Sequence, residues 1–256
     1  MTQNSPVASE ALFSLLRNDL LEKNTGSLEA QYLSSYASPL LDQLLEEPDQ
    51  AFDGAGHEVL KDDPKTALAR TSFDGRSFVV KRYPVKNLWH RMRLFFKPSR
   101  AQKNFLFARQ LAEIGIRTIR PVAWIQERTF GLRARSWLVY EHVDDSICAD
   151  TLTDQSDQAI VNRVIEAVVR NLSLMKDHLL SHGDMKPSNL LITPHEVVLI
   201  DLDAMKSHNT TAECEKGIAK DIARWMRWWR ADRPQPGIAQ RSETLLRDAG
   251  FKLPQA

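Results

Sequence analysis

Cysteine is scarce: Cys148 and Cys214 are the only two in 256 residues, far apart and in no metal-like spacing. That argues against a disulfide framework or a zinc site and makes a reducing compartment the expectation. Long apolar runs are missing too. No stretch approaches the roughly 18 to 20 residues that span a bilayer, which predicts a soluble or peripheral protein. The opening "MTQNSPVASEALFSLLRNDL" has no basic start followed by an apolar core, and Arg17, Asp19 and Glu22 interrupt its apolar patch, so no secretory leader is expected. Internal repeats and low-complexity segments are also absent.

Acids are missing from one long segment. Between Gly75 and Ala112 there is no Asp or Glu, while Arg76, Lys81, Arg82, Lys86, Arg91, Arg93, Lys97, Arg100, Lys103 and Arg109 supply ten of the 34 Lys and Arg. The formal net charge of +1 therefore hides a basic block set against an acidic remainder. Such a block suits an anionic partner; its plainer reading is a solvated face.

What is present is ordinary for a globular chain, with 43% hydrophobic and 26% charged residues. The length suits one large domain or two small lobes. Residues 1–50 read as two amphipathic helices, the second being "LEAQYLSSYASPLLDQLLEE", broken around Pro39 and closed by Pro48. From His57 the pattern turns to strands: "HEVLK", "TALARTSF", an Asp74-Gly75 turn and "RSFVVKRY". A helix, "AQKNFLFARQLAEIG", and a further hairpin follow. The second half opens on a helix over about 155–180, with Val161, Val164, Ile165, Val168, Leu172 and Met175 at helical spacing as core. It then gives a short hairpin around Pro194 and ends helical, "AKDIARWMRWWRAD" being the strongest stretch.

Between those halves lies "SHGDMKPSNLLITPHEVVLIDLD", residues 181–203. It sets Asp184 after His-Gly, Asn189 five residues on, and Asp201 at the end of an apolar run. Acids at the end of a buried strand are costly unless neutralised, because desolvation disfavours the charged carboxylate. An Asp base, a neutral oxygen ligand and an Asp ligand are what Mg²⁺-dependent phosphoryl transfer uses. Lys81, ending "FVVK", has the reach and charge for nucleotide phosphates. His182 reads as a buried hydrogen-bonding strut, Asp203 as a metal ligand or an exposed turn acid, and Trp225, Trp228 and Trp229 as core packing.

These residues carry a resemblance. "HGDMKPSN" is similar to the protein-kinase catalytic loop, "IDLD" stands where the metal-binding Asp-Phe-Gly motif would be, and "VVK" resembles the third-strand lysine, in the right order over roughly residues 57–230. The fold class implied is α+β: bilobal and protein-kinase-like, with an antiparallel-sheet N-lobe containing one helix and a mainly helical C-lobe. On that reading residues 1–50 are a helical extension, 51–143 the nucleotide-binding N-lobe and 144–256 the C-lobe. "RLFFKPSRAQKN", "GIRTIRPVAW", "LVYEHV", "VVLIDLDAM" and "KDIARWMRWW" further resemble the bacterial lipopolysaccharide core (Kdo/heptose) kinases.

The resemblance implies an ATP- and Mg²⁺-dependent kinase acting on a sugar hydroxyl of the lipopolysaccharide core glycolipid. It would be cytoplasmic, in peripheral contact with the inner membrane, and would bind no nucleic acid. Asp184 would be the catalytic base, Lys186 would hold the transferring phosphoryl group, Asn189 and Asp201 would bind Mg²⁺, and Lys81 the ATP phosphates. Glu141, His142 and Val143 would form the adenine-binding hinge, and Asp221 would brace the catalytic loop.

The chain departs from the kinase pattern in three places. "KDDPKT" lacks the glycines that let backbone amides approach phosphate. Where a helix Glu should pair with Lys81 the aligned residue is Asn104, with Glu113 a distant substitute. Gly183 replaces a common Arg, and only about twenty residues separate Asp201 from Asp221, which disfavours a protein substrate. Two rival readings share parts of the pattern: an aminoglycoside- or choline-type small-molecule phosphotransferase, and a pseudokinase that only binds.

Overall fold

The computed structural model describes residues 19–53, 58–84, 98–129 and 132–253. The chain divides into two compact units, residues 1–110 with 119–142, and residues 111–118 with 143–256.

The first unit is built on one antiparallel sheet of β1 (Leu20–Thr25), β2 (Leu28–Leu33), β3 (Glu58–Asp63), β4 (Thr66–Phe73), β5 (Arg76–Tyr83), β6 (Pro121–Thr129) and β7 (Leu132–Glu141). Their order is β1-β2-β6-β7-β5-β4-β3. The Asp74-Gly75 turn forms as the dipeptide demands: both residues take positive φ, 51° and 70°, and Phe73 pairs with Arg76 across it.

The helical reading of residues 20–33 is overturned. Gly26, at φ 56°, and Ser27 close a two-residue hairpin, and Thr25 pairs with Leu28 across it. Along β2, Ala30 and Tyr32 turn into the core while Glu29 and Gln31 alternate outward, a period of two rather than 3.6. Helix α1 (Pro39–Glu46) starts only after Ser38, whose hydroxyl accepts from the Leu41 amide at 3.1 Å, with Pro39 in the first helical position. Its Leu41, Leu44 and Leu45 join one core with Ala30, Phe78, Val80, Val122, Ile125 and Trp137. Burying each leucine contributes roughly 2 kcal/mol. Residues 19–53 are thus part of the sheet unit, not a helical extension; residues 1–18 lie outside the described residues.

Helix α2 (Arg100–Glu113) is capped by Ser99, which accepts from Gln102, and stops before Gly115 at φ 84°. Ala101, Phe105, Ala108 and Leu111, at helical spacing, are fully buried. Its first residue, Arg100, lays its guanidinium 4.5 Å from the Tyr83 ring centre and donates to the Lys65 carbonyl at 3.3 Å. Arg100 is therefore tied to the β3–β4 turn, whereas Arg91, Arg93 and Lys97 of the basic block lie outside the described residues.

The second unit is mainly helical: α3 (Gln158–Asp177), α4 (Thr211–Arg227) and α5 (Pro236–Asp248). Short strands join them: β10 (Leu190–Ile192) between β11 (Val197–Leu199) and β8 (Ile147–Cys148), and β12 (Lys206–Ser207) beside β9 (Leu180–Ser181). All six apolar positions expected on α3 are buried. So are Trp225 and Trp229, packed edge to face at 5.7 Å. After Arg227 the helix widens into a π turn, Trp228–Asp232. No described helix is long and apolar enough to cross a membrane.

Candidate active site

β9 contacts both α3 and α4, and from its end the chain enters the loop that carries Asp184. Gly183 turns that loop at φ 84°, and a Cβ built there would stand 2.5 Å from the Ala204 carbonyl oxygen. No side chain fits, which gives the Arg-to-Gly departure a steric cause. The loop's amides would be orphaned but for Asp221 of α4. Its fully buried carboxylate accepts from the His182 amide at 2.8 Å, the Gly183 amide at 2.7 Å and the Met185 amide at 3.4 Å. Burial pushes the Asp221 carboxyl up, and His182 with the loop amides pulls it only part of the way back. His182 is fully buried, its Nε2 3.3 Å from the Ile200 carbonyl, as a strut would be.

Asp184 is held at both oxygens. Lys186 Nζ is 2.7 Å from Oδ2, and Arg224 Nε is 3.1 Å from Oδ1. Burial raises the Asp184 carboxyl, but these two cations outweigh it and leave it below the usual carboxylate range. Asn189 ends a short 3-10 turn and donates from Nδ2 to the Asp184 carbonyl at 2.9 Å. With its nitrogen committed, Oδ1 is the atom Asn189 can offer a cation. The Ile200 amide donates to the Asn189 carbonyl at 2.9 Å, which ties the start of Asp201 to the same loop. Asp201 itself takes left-handed φ 58° and ψ 67°, a strained conformation for a residue with a side chain.

Asp184 and Asn189 are therefore joined in the second unit, and Asp201 follows the residue whose amide is bonded to Asn189. Among the described residues no three of His, Cys, Asp or Glu converge as a metal cage. A neutral amide oxygen and carboxylates instead fit Mg²⁺, a hard cation that keeps water and phosphate ligands.

Lys81, in the first unit, is buried on β5, between Leu68 of β4 and Leu138 of β7. Its Nζ lies 5.3 Å from the Tyr83 ring centre. Asn104 is buried and donates to the Arg100 carbonyl of its own helix, so an amide stands where the ion-pair partner of Lys81 was expected. The glycine-poor turn has a counterpart in geometry: Asp63 Oδ1 accepts from the Lys65 and Thr66 amides at 2.8 and 2.9 Å, donors that a phosphate-cradling loop would leave open. Of the expected hinge, the Glu141 amide is donated to Arg120 and the His142 amide to Ser77, both within the sheet unit. Val143 opens the longer segment of the second unit.

Arg224 is the residue the sequence reading missed. The signal was there: it lies three residues after Asp221 on α4, and i,i+3 neighbours share a helix face, so a helix that braces the loop with Asp221 also presents Arg224 to it.

No curated protein matches the chain significantly. A solved structure of WaaP in complex with acyl carrier protein is similar at a TM-score of 0.58 and 18% identity, covering 84% of this chain and 92% of that one. At that identity the likeness speaks to fold alone. Residues 63–242 match the lipopolysaccharide kinase (Kdo/WaaP) family, a stretch from the β3–β4 turn through the Asp184 loop into α5. The chain therefore belongs to the lipopolysaccharide kinase (Kdo/WaaP) family, a family of kinases acting on sugar hydroxyls.

Proposed function

We propose that this chain transfers the γ-phosphoryl group of ATP, with Mg²⁺, to a sugar hydroxyl of the lipopolysaccharide core, on a bilobal protein-kinase-like framework. The observation that carries the reading is the loop in which Asp184 is held by Lys186 and Arg224 and tied to Asn189 and the approach to Asp201.

When bound, Mg²⁺ would supply positive charge to the phosphate oxygens, and Asn189 Oδ1 and the Asp201 carboxylate are the groups that would hold it. Lys81 binds the nucleotide phosphates from the first unit. Val143 offers the adenine its amide, since those of Glu141 and His142 are already donated. Asp184, kept ionised by its two cations, receives the proton of the acceptor hydroxyl as that oxygen bonds to the γ-phosphorus and the bond from that phosphorus to the bridging oxygen breaks, releasing ADP. Lys186 exchanges its contact with Asp184 for the phosphoryl oxygens and balances their charge.

The acceptor is an amphiphile of the inner membrane, so the enzyme works at the cytoplasmic face of that membrane as a peripheral protein. An acyl carrier protein is a further candidate partner, by likeness to the WaaP complex. Co-purification followed by mass spectrometry tests it.

The deciding experiment is deletion of the gene in its host with mass spectrometry of the lipopolysaccharide core. Loss of one phosphate is expected, and an unchanged core would turn the reading toward a small-molecule kinase. In vitro, Asp184→Ala and Asp201→Ala are expected to keep the fold and lose about 10² to 10⁴ of the transfer rate. Wild-type turnover by either would sink the assignment.

A further inference from the structure

The Asp184 carboxylate has two cations and the reaction as read above can spare only one. Lys186 must leave Oδ2 to meet the phosphoryl group. Asp184 is then an aspartate with two free torsions on a loop, its side chain 33% exposed, and a base displaced by about 1 Å loses on the order of 10² in rate. Arg224 remains: Nε is 3.1 Å from Oδ1, and Nη1 reaches away to Asp232 Oδ2 at 2.7 Å. Asp232 is gripped a second time, by Arg227 Nε at 3.1 Å.

The π turn makes this possible. Were α4 to continue as an α-helix, residue 232 would stand about 12 Å along the axis from residue 224. Instead the Arg233 amide donates to the Trp228 carbonyl, five residues back, at 2.8 Å, and the widened turn swings Asp232 under both arginines. π turns are uncommon and often sit at functional sites. Trp228 adds one face, its ring centre 5.8 Å from the Arg224 guanidinium carbon. The guanidinium is thus fixed on three sides, by Asp184, Asp232 and an indole.

We propose that Arg224 is a positioning residue for phosphoryl transfer: it aims the Asp184 carboxylate at the acceptor hydroxyl, and the π turn, through Asp232, aims Arg224. The proposal rests on Asp184 being the base. Lysine cannot replace the fork, because a guanidinium engages two carboxylates through separate nitrogens in fixed geometry whereas an ammonium is a point charge.

The test uses the full chain, Mg²⁺-ATP, and lipopolysaccharide from a host strain lacking the gene. Arg224→Gln is expected to lower kcat about 10- to 100-fold, with the KM for ATP and the calorimetric ATP affinity within about two-fold of wild type. Arg224→Lys should recover only part of the loss. Arg224→Ala should regain activity with added methylguanidinium. Asp232→Asn should lower kcat less, and adding it to Arg224→Gln should cost nothing more, since the two act in series. If Arg224→Gln does not fold, Asp232→Asn, which retains the arginine but loosens its aim, carries the comparison by its kcat. An Arg224→Gln enzyme with wild-type kcat, a loss confined to the KM for ATP, or no rescue by methylguanidinium overturns the proposal while Asp184→Asn is still inactive. Wild-type turnover by Asp184→Asn would instead remove the base reading and this proposal together.

Discussion

Gly183 is the residue on which the Asp184 loop turns. With φ at 84° and the Ala204 carbonyl 2.5 Å from where a Cβ would be, Gly183→Ala needs both a strained backbone and a shifted neighbour. We expect a loss of about 1 to 3 kcal/mol by denaturant unfolding, with turnover falling further than stability because Asp184 is the next residue. Unchanged stability would mean the loop relaxes freely. Asp63 gives a prediction of a different kind. Lys61, helped by the Lys65 and Thr66 amides, holds its carboxyl down to about 2 from the ordinary 3.8. A depressed carboxyl stabilises the fold above its unfolded value and loses that contribution as pH falls through its folded value. Stability should therefore drop between about pH 4 and pH 2 in the wild type, and Asp63→Asn should flatten that part of the curve and lower the plateau above about pH 5, where the wild type carries the full contribution. Equal curves would show that the turn does not depend on the charge.

At the scale of elements, α4 does more than pack. Through Asp221 it supplies the acceptors for the His182, Gly183 and Met185 amides. Asp221→Ala orphans buried donors and is expected to cost about 3 kcal/mol or more, while Asp221→Asn keeps one acceptor oxygen and should lose less. Chemical denaturation of both variants checks the ranking, and equal losses would count against it. Which elements could be read in advance follows from how local their determinants are. The Asp74-Gly75 hairpin, α2 and α3 were legible because a dipeptide or one helical face specifies each. The β1–β2 hairpin was not. Leu28, Ala30 and Tyr32 alternate over only six residues, beside a leucine-rich segment whose helical signal begins at Ser38, and the longer pattern masked the shorter. The site divides in the same way. Asp184, Asn189 and Asp201 sit within eighteen residues and announce themselves by spacing, whereas Arg224 joins them only because a helix forty residues later docks on the loop. The π turn that holds Arg224 has no motif of its own.

For the molecule as a whole, charge is segregated along the chain, and described members of the basic block, Arg76, Arg82 and Arg109, pair with Glu141, Asp49 and Asp19. Arg91, Arg93, Lys97 and Arg100 stand in a stretch without a single acid between Gly75 and Ala112. Arg100 separates from the others, since it stacks on Tyr83 and bonds to the Lys65 carbonyl. Its substitution should lower the stability of the sheet unit rather than weaken acceptor binding. The remaining three are the ones to test against an anionic glycolipid surface. Attraction between exposed charges fades as the Debye length falls from about 10 Å at 0.1 M salt to about 3 Å at 1 M. If they recruit the acceptor, changing Arg91, Arg93 and Lys97 together to Gln should raise its apparent KM and flatten the dependence of that KM on salt. The KM for ATP should stay near the wild-type value, because only binding common to ground and transition states of the acceptor would be lost. Two-substrate kinetics over a salt series compare the triple variant with the wild type, and unfolding curves compare Arg100→Gln with both. Equal acceptor KM values and equal salt slopes would reduce the block to a solvated face. A selective rise in the KM for ATP would instead assign its charge to the nucleotide.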